Sequence, residues 1–323
     1  MGSEANLLDV AALGEVLLRY SVPTGYRLEQ ARSLDVHVAG AECNVVTALA
    51  RLGRCCAFFS ALPRSPLGRL AAEHLRACGV SLDGIVWSAN GRMGTYYVEF
   101  AEPPRPLQVV YDRADTCAAR LSPEALDWDR LLAARLIHVT GITAALRPNG
   151  RVLVEALVKR ARAQGVPISF DVNYRARLWT PAEANAALRP LIAGVEVLFC
   201  KAADAELLFG LAGPPGEVAR ALAQEFSAHA CVVSAGAEGA YLWFDGHVLH
   251  APAIPVTIVD RIGAGDALSA GVLHGWLKGD LQRGLHYGTA LAALALTQYG
   301  DSVVTTAEEL EAIVSGQTGG LLR

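Results

Sequence analysis

The stretch Val259-Asp260-Arg261-Ile262-Gly263-Ala264-Gly265-Asp266-Ala267, running into the apolar segment Leu268–Leu277, governs how the rest of the chain reads. Three small residues, Gly263, Ala264 and Gly265, precede a helix start. Small side chains let backbone N–H groups close on an anion, and the first helical turn adds partial positive charge. This is the form of a phosphate cradle. A carboxylate inside it, Asp266, would repel a bound anion. The conflict disappears if Asp266 is a base aimed at an alcohol while the small-residue turn stabilises the group in transfer. A plainer reading is a glycine-rich turn whose Asp266 caps the helix. The segment alone leaves both open.

Working outward, short apolar runs alternate with amphipathic stretches. Leu7–Leu13, Cys55–Leu62, Leu136–Thr140, Pro167–Asp171, Val195–Cys200 and Ala230–Ser234 read as buried strands. Glu42–Leu52, Leu67–Cys78, Asn149–Gln164 and Glu217–Phe226 read as helices, several stopped by glycine (Gly53, Gly79, Gly165). Such a series predicts an α/β fold in three layers, α/β/α, with a mostly parallel central sheet. Two stretches break the rhythm, Glu15–Val38 and Thr95–Tyr111, which carry strand residues punctuated by Pro23, Gly25, Pro103, Pro104 and Pro106. They predict antiparallel strands standing off the main sheet. The boundaries expected are a core of 5–14, 40–92 and 114–315, a small β unit of 15–39 and 93–113, and a tail of 316–323. The region from Gly265 to Leu296 and the segment Thr306–Val314 read as helical.

Composition narrows the class. Of 323 residues, 52% are hydrophobic and 19% charged, enough for a large core and too apolar for disorder. A net charge of −4 without a run of Lys or Arg gives no basis for nucleic-acid binding. No apolar run reaches the length of a membrane span, and the N-terminal residues lack the pattern of a signal peptide. The seven cysteines include no Cys-x-x-Cys pair and suit reduced thiols in a cytoplasm.

Asp260-x-x-Gly263-Ala264-Gly265-Asp266 resembles the second signature of the PfkB-type carbohydrate kinases, the ribokinase-like family. Gly40-Ala41-Glu42-Cys43-Asn44, leading into Val45–Leu52 and closed by Gly53, resembles the first. The two signatures stand in the family's order, and the resemblance runs from Gly14-Glu15 to Gly300-Asp301. It implies a ribokinase-like fold, Asp266 as catalytic base, and Gly263, Ala264 and Gly265 as the anion hole for the γ-phosphate of ATP. It also makes the two irregular stretches a β lid over the sugar, with Gly40 and Asn44 beside the substrate. Closure of such a lid would exclude water, which competes with the sugar as acceptor.

Within the family the chain is most similar to 2-keto-3-deoxygluconate kinases, through Phe170-Asp171-Val172-Asn173-Tyr174-Arg175-x-x-Leu178-Trp179, Tyr111-x-Arg113, Tyr96 and Gly141-Ile142-Thr143. The likeness implies Arg113 and Arg175 on the carboxylate of a sugar acid, Tyr96 and Tyr111 on its body, and Asp301 accepting from a hydroxyl. The chemistry agrees, because guanidinium binds a planar carboxylate bidentately. Either arginine could instead pair with a surface acid, and either tyrosine could only pack. Ser234, Gly236 and Gly239 resemble the nucleotide-contacting turn, with a plain hairpin as the alternative. Mg²⁺ is expected on the ATP phosphates and water, with Asp204 the carboxylate nearest in the family pattern, and a monovalent cation such as K⁺ is expected near Asp260.

The chain also departs from the pattern. Lys201-x-x-Asp204 replaces the usual Asn-x-x-Glu, Ala39-Gly40 replaces Gly-Gly, and Pro63-Arg64-Ser65-Pro66-Leu67-Gly68 replaces an acidic turn. The resemblance implies ATP-dependent phosphorylation of 2-keto-3-deoxygluconate at its 6-position by a cytoplasmic homo-oligomer associating through the lid. Two alternatives stand beside it: a kinase for a neutral sugar or nucleoside, and a non-catalytic sugar-binding relative.

Overall fold

The computed structural model describes residues 8–101 and 104–317. Residues 5–7 of the expected core, Leu7 of the first expected strand, Pro103 of the second irregular stretch and residues 318–323 of the expected tail lie outside them. The strands are β1 (Leu8–Leu13), β2 (Leu17–Ser21), β3 (Asp35–Ala39), β4 (Cys56–Pro63), β5 (Ile85–Ser88), β6 (Gly94–Glu99), β7 (Gln108–Asp112), β8 (Ala134–Thr140), β9 (Ile168–Asp171), β10 (Val197–Lys201), β11 (Ala230–Ser234), β12 (Ala240–Phe244) and β13 (His247–Ala251).

Nine of them form one sheet in the order β13-β12-β11-β10-β9-β8-β1-β4-β5. The strands from β11 to β5 run parallel, and the β12–β13 hairpin closes one edge antiparallel. The side-chain period of two sends alternate residues to opposite faces. On β10, Val197 and Phe199 enter one core and Leu198 and Cys200 the other. The first face is covered by the helices Ala41–Arg51, Pro66–Ala77, Ala264–Leu277 and Leu281–Leu296. The second is covered by Gly150–Gln164, Pro181–Ile192, Ala202–Phe209 and Pro215–Phe226. Full burial on both faces explains why these strands read as continuous apolar runs. It also supplies the main driving force, about 1.5–3 kcal/mol for each large side chain such as Phe58 or Phe170.

The small-residue C-terminal third has a packing reason. A Cβ on Gly271 would lie 2.4 Å from the backbone N of Gly288, and one on Gly275 would lie 2.2 Å from the Cα of Gly284. Helices Ala264–Leu277 and Leu281–Leu296 therefore touch backbone to backbone.

The remaining strands form a four-stranded sheet, β3-β2-β6-β7, drawn from the two stretches that broke the alternation. It differs from the antiparallel expectation at one place: β2 and β6 pair parallel, because the chain crosses the large sheet between them. One face carries Leu17, Tyr96 and Val98 into a small core with Phe100 and Ala39. The opposite face presents Val36, Tyr20, Tyr97 and Val110 in a single row across all four strands. Tyr20 and Tyr97 stack at 5.4 Å, and Val36 and Val110 are about half exposed (46% and 49%).

Candidate active site

Parallel α/β sheets bind ligands beyond the carboxyl ends of their strands. Here those ends bring together Thr140 from β8, Asp171 from β9, Lys201 from β10 and Ser234 from β11. Against them stands the start of helix Ala264–Leu277. Gly263 is its N-cap at φ +90°, a conformation that favours glycine, and a Cβ there would meet the carbonyl oxygen of Asp301 at 2.0 Å. Gly265 has open space beside it. No side chain thus covers the turn at Gly263 or Gly265.

Asp266 sits in the first turn, deep in the molecule but with partial access to solvent. One carboxylate oxygen accepts from Asn44 Nδ2 at 2.7 Å. Burial pushes its pKa up to about 7; the Asn44 hydrogen bond and the Arg175 charge pull it down, and Asp171 and Asp301 push it up. A carboxyl poised near neutrality can take a proton from an alcohol. Asp171, at about 6, is raised mainly by burial and lowered by Lys201 and Arg175. Asn44 is buried and spends its amide on the protein: it donates to Asp266 and accepts from Ser302 Oγ at 3.1 Å. It therefore orients the base, and its amide keeps a second N–H beyond that bond. Ser302 gave no signal in the sequence.

The residues expected on the sugar divide into two groups. Tyr111, Arg113 and Arg175 line a cavity of about 650 Å³ with Ala145, Arg147 and Arg177. Asp266 is not on that lining; Arg175 connects the two, since it lines the cavity and its charge acts on the base. Arg113 donates from Nε and Nη2 to Glu15, which also accepts from Thr116, so only part of its fork faces the cavity. Arg175 has no carboxylate within salt-bridge distance among the described residues. Arg147 and Arg177 were not picked out from sequence, as isolated surface arginines carry no pattern.

Tyr96, Asp301 and Gly40 behave differently. Tyr96 is buried, stacks on Tyr111 at 5.4 Å and gives its hydroxyl to Asp301. The second oxygen of Asp301 takes Arg19 Nη1 at 2.7 Å. Both oxygens of this buried carboxylate already have protein partners, and so does the Tyr96 hydroxyl. They thus form an internal network, in which each Asp301 oxygen keeps a second lone pair and the Tyr96 hydroxyl can still accept. Gly40, at φ +144°, is needed because a Cβ would lie 2.3 Å from the Glu15 carbonyl oxygen; its close approach is to the protein. Cys43, in the same motif, is fully buried, and burial pushes its thiol well up, so it is a core residue.

On the other side of the cleft, Ser234 ends β11 in register with Lys201. Gly236 and Gly239 bracket a tight turn, at φ +58° and +100°, leading into β12. Gly239 also lies against the backbone of Ala251–Ala253, which is hairpin packing. For metal, no group of three or more His, Cys, Asp or Glu residues among the described ones could hold an ion alone. Asp204 Oδ2 is nevertheless buried without a hydrogen-bond partner among the described residues. Such an orphaned oxygen beside the strand ends fits Mg²⁺ carried largely by phosphates and water. The monovalent cation expected near Asp260 does not fit. Asp260 Oδ2 takes Arg19 Nη2 at 2.6 Å and the Gly300 N–H at 3.2 Å, and Oδ1 takes the Ile262 N–H at 3.0 Å. A guanidinium already fills the cation's place.

A nine-stranded α/β sheet with a small-residue helix start and a near-neutral carboxyl at its strand ends is the arrangement of a phosphotransferase acting on an alcohol. Residues 8–307 match the model of the pfkB family carbohydrate kinases, and the chain belongs to that family. It is 37% identical over 316 residues to the 2-dehydro-3-deoxygalactonokinase of Haloferax volcanii, covering 98% of this chain and 99% of that one. It is 30% identical over 300 residues to the 2-dehydro-3-deoxygluconokinase of Thermoproteus tenax, covering 92% and 90%. The crystal structure of 2-dehydro-3-deoxygluconokinase from Thermotoga maritima superposes with a TM-score of 0.89 at 34% identity, covering 96% and 100%. The ribokinase-like fold follows from that superposition. Among the described residues no helix is long and apolar enough to cross a membrane.

Proposed function

We propose that the protein transfers the γ-phosphoryl group of ATP to the C6 hydroxyl of a 2-keto-3-deoxy sugar acid, with 2-keto-3-deoxygluconate the first candidate. The observation that carries this reading is Arg175: a cation without a carboxylate partner among the described residues, on the wall of a substrate-sized cavity, with its charge felt at Asp266. A neutral sugar gives such a group nothing to bind, whereas a carboxylate accepts its planar fork. Arg113 would hold the same carboxylate with its free edge, and Tyr111 would cover the sugar face.

In this reading Asp266, oriented by Asn44, takes the hydroxyl proton as the oxygen attacks phosphorus. The N–H groups of Gly263, Ala264 and Gly265 stabilise the charge on the transferring group. ATP lies over Ser234, Gly236 and Gly239, with Lys201 beside its phosphates. Mg²⁺, when bound with ATP, neutralises phosphate charge, and Asp204 would hold it through its unpartnered oxygen. Residues 15–39 and 93–113 form the lid, and 5–14, 40–92 and 114–315 the core. The outward row Val36, Tyr20, Tyr97 and Val110 supports pairing of two lids in a homo-oligomer, since an apolar strip of this kind favours a partner over water. Seven unpaired cysteines fit a reducing cytoplasm.

The relatives bear both gluconate and galactonate names, so the C4 epimer belongs in the test. An ATP-consumption assay should compare 2-keto-3-deoxygluconate, its galactonate counterpart, fructose, ribose and a nucleoside. The expected result is turnover with one or both acids at a kcat/KM at least about 100-fold above the neutral sugars, the worth of a well-made ionic contact. Preference for fructose or ribose would defeat the sugar-acid reading. No ATP consumption with any of them would favour the non-catalytic alternative.

A further inference from the structure

Arg19 lies at the middle of β2 and is the largest fully buried side chain described. Its two terminal nitrogens go to different segments, Nη2 to Asp260 at 2.6 Å and Nη1 to Asp301 at 2.7 Å. Phe100 covers its plane, 5.0 Å from the ring centre. Asp260 in turn accepts the Ile262 N–H, one residue before the small-residue turn. Asp301 holds the Tyr96 hydroxyl with its side chain and packs its backbone oxygen against Gly263. From Arg19, contacts therefore lead to the anion-binding turn, to Gly300 through Asp260, and to Tyr111, which stacks on Tyr96 and lines the cavity.

Two carboxylates buried this close require a cation between them, because each alone would pay a desolvation cost of several kcal/mol. A mobile ion could serve, but here the chain supplies it from a strand of the small sheet. A guanidinium is permanently charged and directional, so it fixes geometry as well as charge.

We propose that Arg19 is a built-in cation that holds the 259–265 turn in its working shape and ties it to the four-stranded sheet, so that catalysis needs no monovalent metal ion at Asp260. Arg19 touches neither substrate nor nucleotide and acts through Asp260 and Asp301, as a positioning residue. The catalytic part of the proposal rests on the sugar-kinase reading above; the structural part does not.

The test compares the wild-type protein with Arg19→Met and Arg19→Lys. Three quantities are read: kcat with ATP and 2-keto-3-deoxygluconate, with and without KCl; the dissociation constant of the sugar acid; and amide hydrogen exchange. The wild type should be indifferent to K⁺. Arg19→Met should lose about 100-fold in kcat, the effect of misplacing a catalytic turn by about 1 Å. Its sugar-acid affinity should change by less than about threefold, and exchange should rise in 259–265 and 299–302 while helix 281–296 stays protected. Arg19→Lys should recover part of both kcat and protection.

Several-fold stimulation of the wild type by K⁺ would overturn the proposal, as would wild-type kcat in folded Arg19→Met. A general rise in exchange, with kcat and affinity falling together, would reduce Arg19 to a scaffold residue and overturn it too. If the wild type turns over no sugar acid, the substrate reading fails on its own, and exchange still decides about Arg19. Protection lost locally and regained with Lys supports the built-in cation; unchanged protection sinks it.

Discussion

Arg19 and Arg175 both act on the same catalytic turn, Arg19 through Asp260 and Asp301 and Arg175 through its charge at Asp266. Arg19 is engaged on both terminal nitrogens: two carboxylates, an aromatic plane and complete burial account for its charge, and only its Nε lacks a partner among the described residues. Arg175 is partly exposed on a cavity wall, and no acid among the described residues pairs with it. The difference separates two uses of one residue type. Where the protein supplies acids to the guanidinium, the charge shapes the backbone; where it withholds them, the charge is left for a ligand. The same contrast sorts the acids, since Asp301 and Asp260 have partners on both oxygens while Asp266 keeps one oxygen free of partners among the described residues.

The largest test falls on the open side. Asp266→Asn should lower kcat by about 10³-fold or more with the sugar acid still bound, within or beyond the range ascribed to a general base. It should also raise the melting temperature at pH 8. A carboxyl whose folded pKa is raised to about 7 loses stability as pH climbs from its unfolded value through 7, and an amide removes that cost. Unchanged turnover would remove Asp266 from the mechanism.

Next, Arg175→Ala should raise KM for the sugar acid by about 10–100-fold, the worth of a charge-assisted contact. At about pH 9, above the Asp266 titration, it should leave fructose kinetics nearly unchanged, and the melting temperature too, because no buried acid loses its only ion-pair partner among the described residues. If Arg175→Ala destabilises the fold as strongly as loss of Arg19, the two arginines do not differ in kind.

A third, smaller effect joins them through pH. kcat/KM should rise with pH through an acid limb near 7, where Asp266 loses its proton. Asp171, near 6, titrates in coupling with it. Arg175 lowers the Asp266 pKa, so Arg175→Ala should move the limb to higher pH. A limb that stays in place would mean that the arginine's charge does not reach the base.

The fold was largely readable because its strands are buried on both faces and several helices end at glycine. The first-signature helix, expected over Glu42–Leu52, spans Ala41–Arg51. The short edge strand β5 and the helix Pro181–Ile192 were not singled out, the first for lack of length and the second because proline and alanine weaken its apolar period. The site was legible only where residues cluster in sequence. Gly263–Asp266 and Tyr111-x-Arg113 are local patterns. Arg19 and Asp301 stand 282 positions apart and form a pair only in three dimensions. An arginine amid Leu17, Leu18 and Tyr20 reads as the solvent side of an edge strand, and the structure buries it. Tyr96 and Asp301 stand close to the substrate pocket, yet their polar atoms face one another, and only orientation reveals this.

The glycine contacts between helices Ala264–Leu277 and Leu281–Leu296 bear on how the enzyme can move. No layer of side chains separates these two backbones at Gly271 and Gly275, so there is nothing compressible to absorb sliding. Gly275→Ala should therefore cost about 1–3 kcal/mol of stability, seen as a lower denaturation midpoint. The helix that presents the base is thus an anvil fixed to the frame: it cannot slide along its neighbour, so the carboxyl keeps its place.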